Sequence, residues 1–423
     1  MTLCTKGNVA IIGLGYVGLP LASLLVDKGY VVLGIDTDIK KVERLNAKKS
    51  YLTDVSDFKV SEMIDNQKFI PSSDYSLISS AQSIIICVPT PLREKVPDLS
   101  YIISAVQGIL PYLKREQLLI LESSTYPGTT NDLIKPLVES KGLKVGKDIF
   151  LAYSPERINP GSKDVSLVDI PKVVSGISTE CLQRVSDLYG SIFKTIVKVS
   201  SPRVAEFVKM LENSQRLINI SFINEVNLLA NKMNISIWEV IEAAKTKPIG
   251  FTPYYPSAGV GGHCIPIDPF FLSWIGMKEG VPLTMIHQAG IINEKIPYFV
   301  AEKVIQHLQA KNIPLHDAKI GAIGITYKKD INDIRESAPL KVVQLLQKEK
   351  INVSVYDPIY QEELPNGLTR FSLQPNQLRA LDITLILIDH SNIEWGDIIA
   401  HSNCVMDTQN VTRDYTEGHI IRI

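Results

Sequence analysis

Short β-branched runs alternate with amphipathic stretches along the first half of the chain: Val9-Ala-Ile-Ile12, Val31-Val-Leu-Gly-Ile35, Ser83-Ile-Ile-Ile-Cys-Val88, Leu118-Leu-Ile-Leu121 and Phe150-Leu-Ala-Tyr153. Runs that are apolar on both faces predict parallel strands buried between two layers of helices, built from repeated βαβ units. A first domain of this kind is expected over residues 1–200. The period then changes. Residues 202–233 hold no glycine and no proline after Pro202, while Val204, Ala205, Val208, Leu211, Ile218, Phe222, Val226, Leu229 and Met233 recur at helical spacing. That predicts a helix of roughly 45 Å, a spine whose apolar stripe can also pair with a second copy of the chain. A helical middle domain is expected over residues 201–315. A second βαβ series follows, with Lys319-Ile-Gly-Ala-Ile-Gly-Ile325, a helical stretch over 340–350, Val353-Ser-Val-Tyr356 and Ile383-Thr-Leu-Ile-Leu-Ile388, assigning residues 316–423 to a third domain. The expected fold class is α/β: two doubly wound, Rossmann-like domains joined by a helical middle domain with a long central helix.

Composition narrows the functions that such a chain can carry. At 423 residues it is too long for one ordinary core, and 44 Lys and Arg against 45 Asp and Glu leave no electrostatic footprint for nucleic acid or an anionic membrane. A small-molecule partner is expected. Five scattered cysteines argue against a disulfide framework and a CxxC metal site, and suit a reducing cytoplasm. Seven histidines show no metal-ligand spacing, so no metal is expected. Residues 9–26 are uncharged and of about the length of a membrane span, yet they contain three glycines and a proline and divide into a strand, a tight turn and a helix.

The turn in question is Gly13-Leu-Gly15-Tyr16-Val17-Gly18. Gly13 permits a sharp turn, Gly15 lets a pyrophosphate approach the backbone, and Gly18 allows close packing of the helix on the strand. Asp36 ends the next apolar run, placed to accept hydrogen bonds from a ribose diol, which favours NAD over NADP. A second constellation is Gly259-Val-Gly261-Gly-His-Cys264-Ile-Pro-Ile-Asp268. A cysteine behind a glycine-rich loop can serve as a nucleophile; taken alone it reads as a small buried hydrophobe. Lys209 and Asn213 lie four apart and project from one helix face, where they can be catalytic or simply solvated. Thr125 and Glu156 follow predicted strands, where ligand loops of open α/β sheets gather. Lys328, Lys329 and Arg335 put positive charge behind a strand of the third domain.

In this order the segments GLGYVG, VPTPL with PDLSY, ESSTYPGTT, YSPERINPG, KMLEN, GVGGHCIPIDP and YKKDINDIRES resemble the UDP-glucose/GDP-mannose dehydrogenase family over essentially the whole chain. The resemblance is greatest to its UDP-N-acetylhexosamine branch, above all the enzymes acting on UDP-N-acetylglucosamine, where TKPIGFTPYYP leads into GGHCIPIDPFFL. It implies an NAD-dependent, four-electron oxidation of a sugar C6 alcohol to the uronate, supplying precursors of bacterial surface polysaccharide. Cys264 would be the nucleophile, carrying a thiohemiacetal and then a thioester. Lys209 and Asn213 would stabilise oxyanions, Asp268 would organise base catalysis, Thr125 would hold a water and Glu156 would assist hydrolysis. Gly13, Gly15, Tyr16, Val17, Gly18, Asp36, Pro89, Thr90, Glu122, Thr125 and Arg335 would contact NAD. Glu156, Arg157, Ile158, Lys209, Asn213, Tyr255, Gly261 and Lys328 would contact the UDP-sugar. A cytoplasmic homodimer or higher homo-oligomer is expected.

Members acting on UDP-glucose resemble one another in carrying an aromatic residue and a lysine shortly after the cysteine; Ile265-Pro-Ile267 departs from that pattern and moves the expectation to N-acetyl sugars. The rival readings are UDP-glucose or UDP-N-acetylmannosamine as substrate, a two-electron dehydrogenase of the 6-phosphogluconate or hydroxyisobutyrate type, and a non-catalytic NAD-binding protein.

Overall fold

The computed structural model describes residues 7–52, 54–157 and 166–423. They form two compact units, one running to Asn213 and taking back Ile267–Pro282, the other comprising Ser214–Pro266 and Leu283–Ile423.

In the first unit the apolar runs become strands: β1 (Asn8–Ile12), β2 (Val31–Ile35), β3 (Phe69–Ser72), β4 (Ser83–Ile86), a short hairpin of β5 (Leu92–Arg93) and β6 (Val96–Pro97), then β7 (Leu118–Leu121), β8 (Phe150–Tyr153), β9 (Lys172–Gly176) and β10 (Ile196–Lys198). The main sheet has the order β10-β9-β8-β7-β4-β1-β2-β3. From β8 to β3 the pairs are parallel, so their carboxyl ends share one edge. Strand β9 runs the other way against β8, and β10 runs with β9. Three of these strands, β3, β9 and β10, were not expected from the apolar pattern. Ile84, Ile85 and Ile86 are fully buried, as strands covered on both faces require. The core lies between this sheet and the helices Gly18–Asp27 and Thr179–Gly190.

In the second unit, β11 (Lys319–Ile323), β12 (Asn352–Tyr356), β13 (Thr369–Arg370), β14 (Ile383–Ile386), β15 (Val405–Asp407) and β16 (Ile420–Arg422) form an all-parallel sheet of order β13-β12-β11-β14-β15-β16. Its core packs against the helices Thr284–Ala310 and Ala338–Lys348. The long helix is continuous over Pro202–Lys232, ending one residue short of the expected Met233. Among the described residues no helix is long and apolar enough to cross a membrane.

The two sheets repeat one local device. Gly13 leaves β1 at φ +93° and its amide donates to the carbonyl of Ile35; Gly324 leaves β11 at φ +84° and donates to the carbonyl of Tyr356. Asp36, just after β2, accepts the amide of Leu14; Asp357, just after β12, accepts the amide of Ile325. In each case the strand end is turned by a residue in the left-handed region and fixed by the carboxylate of the neighbouring strand.

The backbone predicts the cost of disturbing this turn. A Cβ on Gly324 would lie 2.4 Å from Cβ of Ile388, whereas Gly250, at φ +76°, has none of the described residues within 4 Å of such an atom. Gly324→Ala therefore adds overlap to backbone strain and is expected to lower the unfolding free energy by about 2–4 kcal/mol; Gly250→Ala adds strain only and costs about 1 kcal/mol. Urea denaturation of the two variants compares them directly, and equal midpoints would contradict the packing term.

Candidate functional site

The first cluster grows from the glycine turn. Gly18 opens the helix Gly18–Asp27, and a Cβ there would meet the carbonyl oxygen of Gly13 at 1.9 Å, so only glycine permits this approach of helix to strand. Above Gly15 nothing among the described residues lies within 4 Å of where a Cβ would be, leaving the backbone open to a ligand. Tyr16 and Val17 pack on the core from the turn. Asp36 is buried, with Oδ2 accepting the amide of Leu14 at 2.9 Å and Oδ1 accepting that of Asp38 at 2.9 Å, while Lys41 Nζ stands 3.7 Å away. The turn, the exposed helix start and a carboxylate at the end of β2 fit the pyrophosphate and ribose of a dinucleotide. Past β4, Thr90 is buried and Pro89 exposed.

Strand ends β7 and β8 deliver two more carboxylates. Glu122 follows β7 and Glu156 lies shortly after β8, both buried. Between them sits Lys172, the first residue of β9, buried to 3% exposure. Its Nζ is 3.1 Å from Oε1 of Glu122 and 2.8 Å from Oε2 of Glu156, and the rings of Tyr189 and Phe193 flank it at 5.2 and 5.3 Å. Tyr189 donates its hydroxyl to Glu122. Burial would push the Lys172 ammonium down, but the two carboxylates outweigh it and raise its pKa. Burial raises the Glu122 carboxyl above the usual range despite Lys172. Among the described residues Oε2 of Glu122 has no hydrogen-bond partner, so this buried acceptor fits a donor such as a carboxamide. Arg157 donates its amide to Glu156 at 2.7 Å and its guanidinium to Glu212. Ile158 lies outside the described residues.

A further group joins the helix Pro202–Lys232 to the helix Asp268–Lys278. Asn213 donates its Nδ2 to Oδ2 of Asp268 at 2.6 Å, and Ser124 donates to the same oxygen at 3.2 Å. Burial lifts the Asp268 carboxyl to about 6, against the opposing charge of Lys209. Thr125 is fully buried and its hydroxyl is 2.6 Å from that of Thr129. Glu206, three residues before Lys209, accepts from the amides of Gly128 and Thr130 and from the Thr130 hydroxyl, and burial lifts its carboxyl to about 7.

In the second unit the glycine-rich loop is moulded on residues 327–336. A Cβ on Gly261 would lie 2.4 Å from the carbonyl oxygen of Glu336, and one on Gly262 would lie 2.6 Å from the Tyr327 ring. Asn293 clamps Val260 from the helix Thr284–Ala310, accepting its amide at 2.7 Å and donating to its carbonyl at 3.0 Å. Cys264, half-buried, follows as a thiol. Two basic side chains of this segment are engaged by the protein itself, Lys329 with Asp389 at 3.1 Å and Arg335 with Asp333 at 2.7 Å, and the backbone carbonyl of Lys328 accepts the Thr326 hydroxyl. Tyr255 stacks on Trp238 at 5.6 Å and donates to Glu242.

The structure thus gathers Glu122 with Glu156, and Asn213 with Asp268 under the charge of Lys209; it places Gly261 on the segment that carries Lys328 and Arg335. Lys172, Glu206, Tyr189 and Asn293 were not among the expected site residues. Glu206 had a usable signal in its spacing to Lys209 on one helix. Lys172 had none.

Residues 7–193 match the model of the NAD binding domain of the UDP-glucose/GDP-mannose dehydrogenase family, residues 203–295 its central domain and residues 321–414 its UDP binding domain. The UDP-N-acetyl-D-mannosamine dehydrogenase of Pyrococcus horikoshii is 32% identical over 422 residues, covering 98% of each chain. A structure of the Pyrococcus horikoshii enzyme superposes with a TM-score of 0.88 at 30% identity, over 98% of this chain and 99% of that one. The UDP-N-acetyl-mannosamine dehydrogenase of Staphylococcus aureus superposes at 0.85 with 28% identity, over 98% of both.

The raised Asp268 carboxyl sets a pH dependence of stability. With a folded pKa of about 6 against about 3.9 unfolded, the native state holds the extra proton between roughly pH 4 and 6. Stability therefore falls as pH rises through that window, and the full cost, at most about 3 kcal/mol, applies above it. Asp268→Asn keeps an acceptor for Asn213 and Ser124 and is expected to lack this decline. Urea denaturation of both proteins from pH 4 to 7 measures it, and parallel curves would refute the assignment.

Proposed function

Because the chain belongs to the UDP-glucose/GDP-mannose dehydrogenase family and is an NAD-dependent UDP-sugar dehydrogenase, we propose that it oxidises the C6 alcohol of a UDP-N-acetylhexosamine to the carboxylate through Cys264. The observation that carries this reading is the Cys264 loop, which two glycines, Gly261 and Gly262, allow to lie directly on residues 327–336. That segment falls in the match to the UDP binding domain. A simple alcohol dehydrogenase has no need of a nucleophile so placed.

N-acetylmannosamine is the sugar we assign, on the full-length likeness to enzymes named for that substrate. The gluco epimer is the second reading, favoured by the run TKPIGFTPYYP ahead of the cysteine loop. Epimers differ by the direction of one hydroxyl or amide, which a pocket distinguishes by leaving its own polar groups unpaired in the wrong complex. The product is an activated uronate of the kind built into bacterial surface polysaccharide.

The dinucleotide is held by the turn at Gly13, Gly15 and Gly18, by Asp36 at the ribose and by Glu122, with Oε2 of Glu122 available to the carboxamide. NAD, when bound, supplies the hydride acceptor for each of the two oxidations. The chain's residues do the remainder. Asp268, whose carboxyl titrates near pH 6, organises removal of the C6 hydroxyl proton. The Cys264 thiolate adds to the aldehyde carbon, and Lys209 and Asn213 meet the oxygen that becomes negative. The thiohemiacetal makes the aldehyde carbon tetrahedral again, and the hydrogen that carbon has kept can leave as the second hydride, giving a thioester. Glu156 takes a proton from water held by Thr125; the water oxygen bonds to the acyl carbon, the C–S bond breaks and the Cys264 thiolate departs. Covalent capture holds the aldehyde between two hydride transfers.

A homodimer formed through the long helix completes the proposal. Phe207, Leu211, Phe222 and Leu229 leave it as exposed apolar side chains at heptad-like spacing, with Leu211 at 56% and Phe222 at 62%. Light scattering is expected to return about twice the chain mass of 47.0 kDa, and a monomer would refute this arrangement.

Incubation with NAD and a panel of UDP-sugars tests the activity. Two NADH per sugar and an acid product are expected, with UDP-N-acetylmannosamine turned over fastest. One NADH per sugar would point to a two-electron enzyme. Cys264→Ser is expected to abolish acid production while NAD binding, followed by fluorescence, persists; acid formed at the wild-type rate would end the covalent reading.

A further inference from the structure

Strand β9 is the first strand of the main sheet to run against its parallel neighbours, and this reversal has a consequence at the ligand-binding edge. Parallel strands bring only their carboxyl ends to that edge, whereas a strand of opposite direction brings its amino end. In the β8–β9 ladder Ala152 faces Gly176 and Tyr153 faces Ser175. Continued three residues further along each strand, the same register sets Glu156 opposite Lys172, which is where the 2.8 Å contact forms. On the other side β7 pairs with β8 in register Leu121 to Tyr153, which sets Glu122 opposite Ser154, two residues short of Glu156, where the Lys172 ammonium reaches it at 3.1 Å. The strand register, carried on past the end of β8, therefore places the ammonium between the two carboxylates.

A buried lysine is costly to desolvate and is retained only where opposite charge surrounds it. Here one cation serves two anions, one on the proposed nicotinamide side and one proposed to act on water. We propose that Lys172 is a positioning residue: it holds the Glu156 carboxylate ionised and aimed for the hydrolytic half of the reaction, and ties it to Glu122. Both Glu156 oxygens take part, Oε1 accepting the Arg157 amide and Oε2 the Lys172 ammonium. Without Lys172, Glu122 and Glu156 would be two buried like charges, and one of them would take up a proton. A protonated Glu156 cannot accept the proton of the attacking water, so the thioester on Cys264 would persist.

The inference rests on the reading of Glu156 as the group that assists hydrolysis, so the experiment includes Glu156→Gln. Full-length wild type, Lys172→Met, Lys172→Arg and Glu156→Gln are mixed with NAD and UDP-N-acetylmannosamine, or UDP-N-acetylglucosamine if the panel prefers it. Stopped-flow absorbance follows NADH, and quenched samples are weighed by intact-protein mass spectrometry for acyl adduct on Cys264. Lys172→Met is expected to keep a rapid burst of up to two NADH per site, then to turn over roughly 10-fold or more slowly with acyl-enzyme accumulating. Lys172→Arg, which retains the charge, is expected to restore hydrolysis. Should Lys172→Met fail to fold, Lys172→Gln, neutral but still able to donate, carries the same expectation. Burst and steady state slowed equally, with no adduct, would overturn the proposal. Adduct in Glu156→Gln but not in Lys172→Met would overturn it while leaving the role of Glu156 intact. Adduct in neither variant would overturn both.

Discussion

A carboxylate carried to the end of a buried strand has lost its water, and the structure depends on what replaces it. Burial alone would neutralise each of these acids. At Asp357 the penalty is overcome by the hydrogen bond and charge of His390 and by the amides of Ile325, Thr326, Ile359 and Tyr360, which hold the carboxyl down to about 2. That charge is fixed, and it fastens the strand ends of the second sheet. Asp268 has two side-chain donors and the more distant Lys209, and its carboxyl rises to about 6. A group poised there can exchange a proton near neutral pH. The difference between a structural acid and a chemical one lies in the donors each environment provides.

Glu122 and Glu156 follow a third course, since the two could not both remain charged side by side without Lys172 between them. Three charged groups at one buried point form a unit in which no member can be removed alone without stranding the rest. Tyr189 and Phe193 close the flank of the ammonium and keep the local dielectric low, which strengthens the attraction and raises the penalty for breaking it. Such a unit holds its carboxylates more rigidly than surface pairs such as Arg203 with Asp132, where solvent screens the charges.

Local signals in the sequence reached as far as local causes did. Strand β1, the glycine turn and the helix at Gly18 were legible because one short segment carries them, and the long helix because its apolar period persists over eight turns without a breaker. Asp36 could be found by its distance along the chain from the turn. Lys172 could not: it sits in Ile170-Pro-Lys172-Val-Val-Ser175, which matches no motif, on a strand the apolar pattern did not reveal. Its partners are chosen by an antiparallel register between strands, and register is a tertiary outcome. Asn293 is hidden in the same way, lying 33 positions beyond the Val260 that it clamps. The basic run near Lys328 was legible as charge, but its pairing with Asp389 and Asp333 depends on the sheet beneath it.

The second sheet explains why the cysteine loop belongs where it is. Both units turn their first strand with a left-handed glycine and pin that turn with an aspartate, yet the motif GxGxxG appears only in the first. In the first, the helix begins at Gly18, so the turn and the helix start stay together as a phosphate site. In the second, residues 325–337 intervene before the helix at Ala338. That insertion supplies the Tyr327 ring and the Glu336 carbonyl, against which Gly261 and Gly262 lie too close for any side chain. The longer connection forms a platform rather than a turn leading straight into a helix, and against Tyr327 and Glu336 it leaves room for glycine only. Cys264 is held by that fit on the far side of the glycines. The nucleophilic role proposed for it therefore draws on the shape of a strand-to-helix connection some sixty residues later in the chain, which is why the cysteine alone could be read as an ordinary core residue.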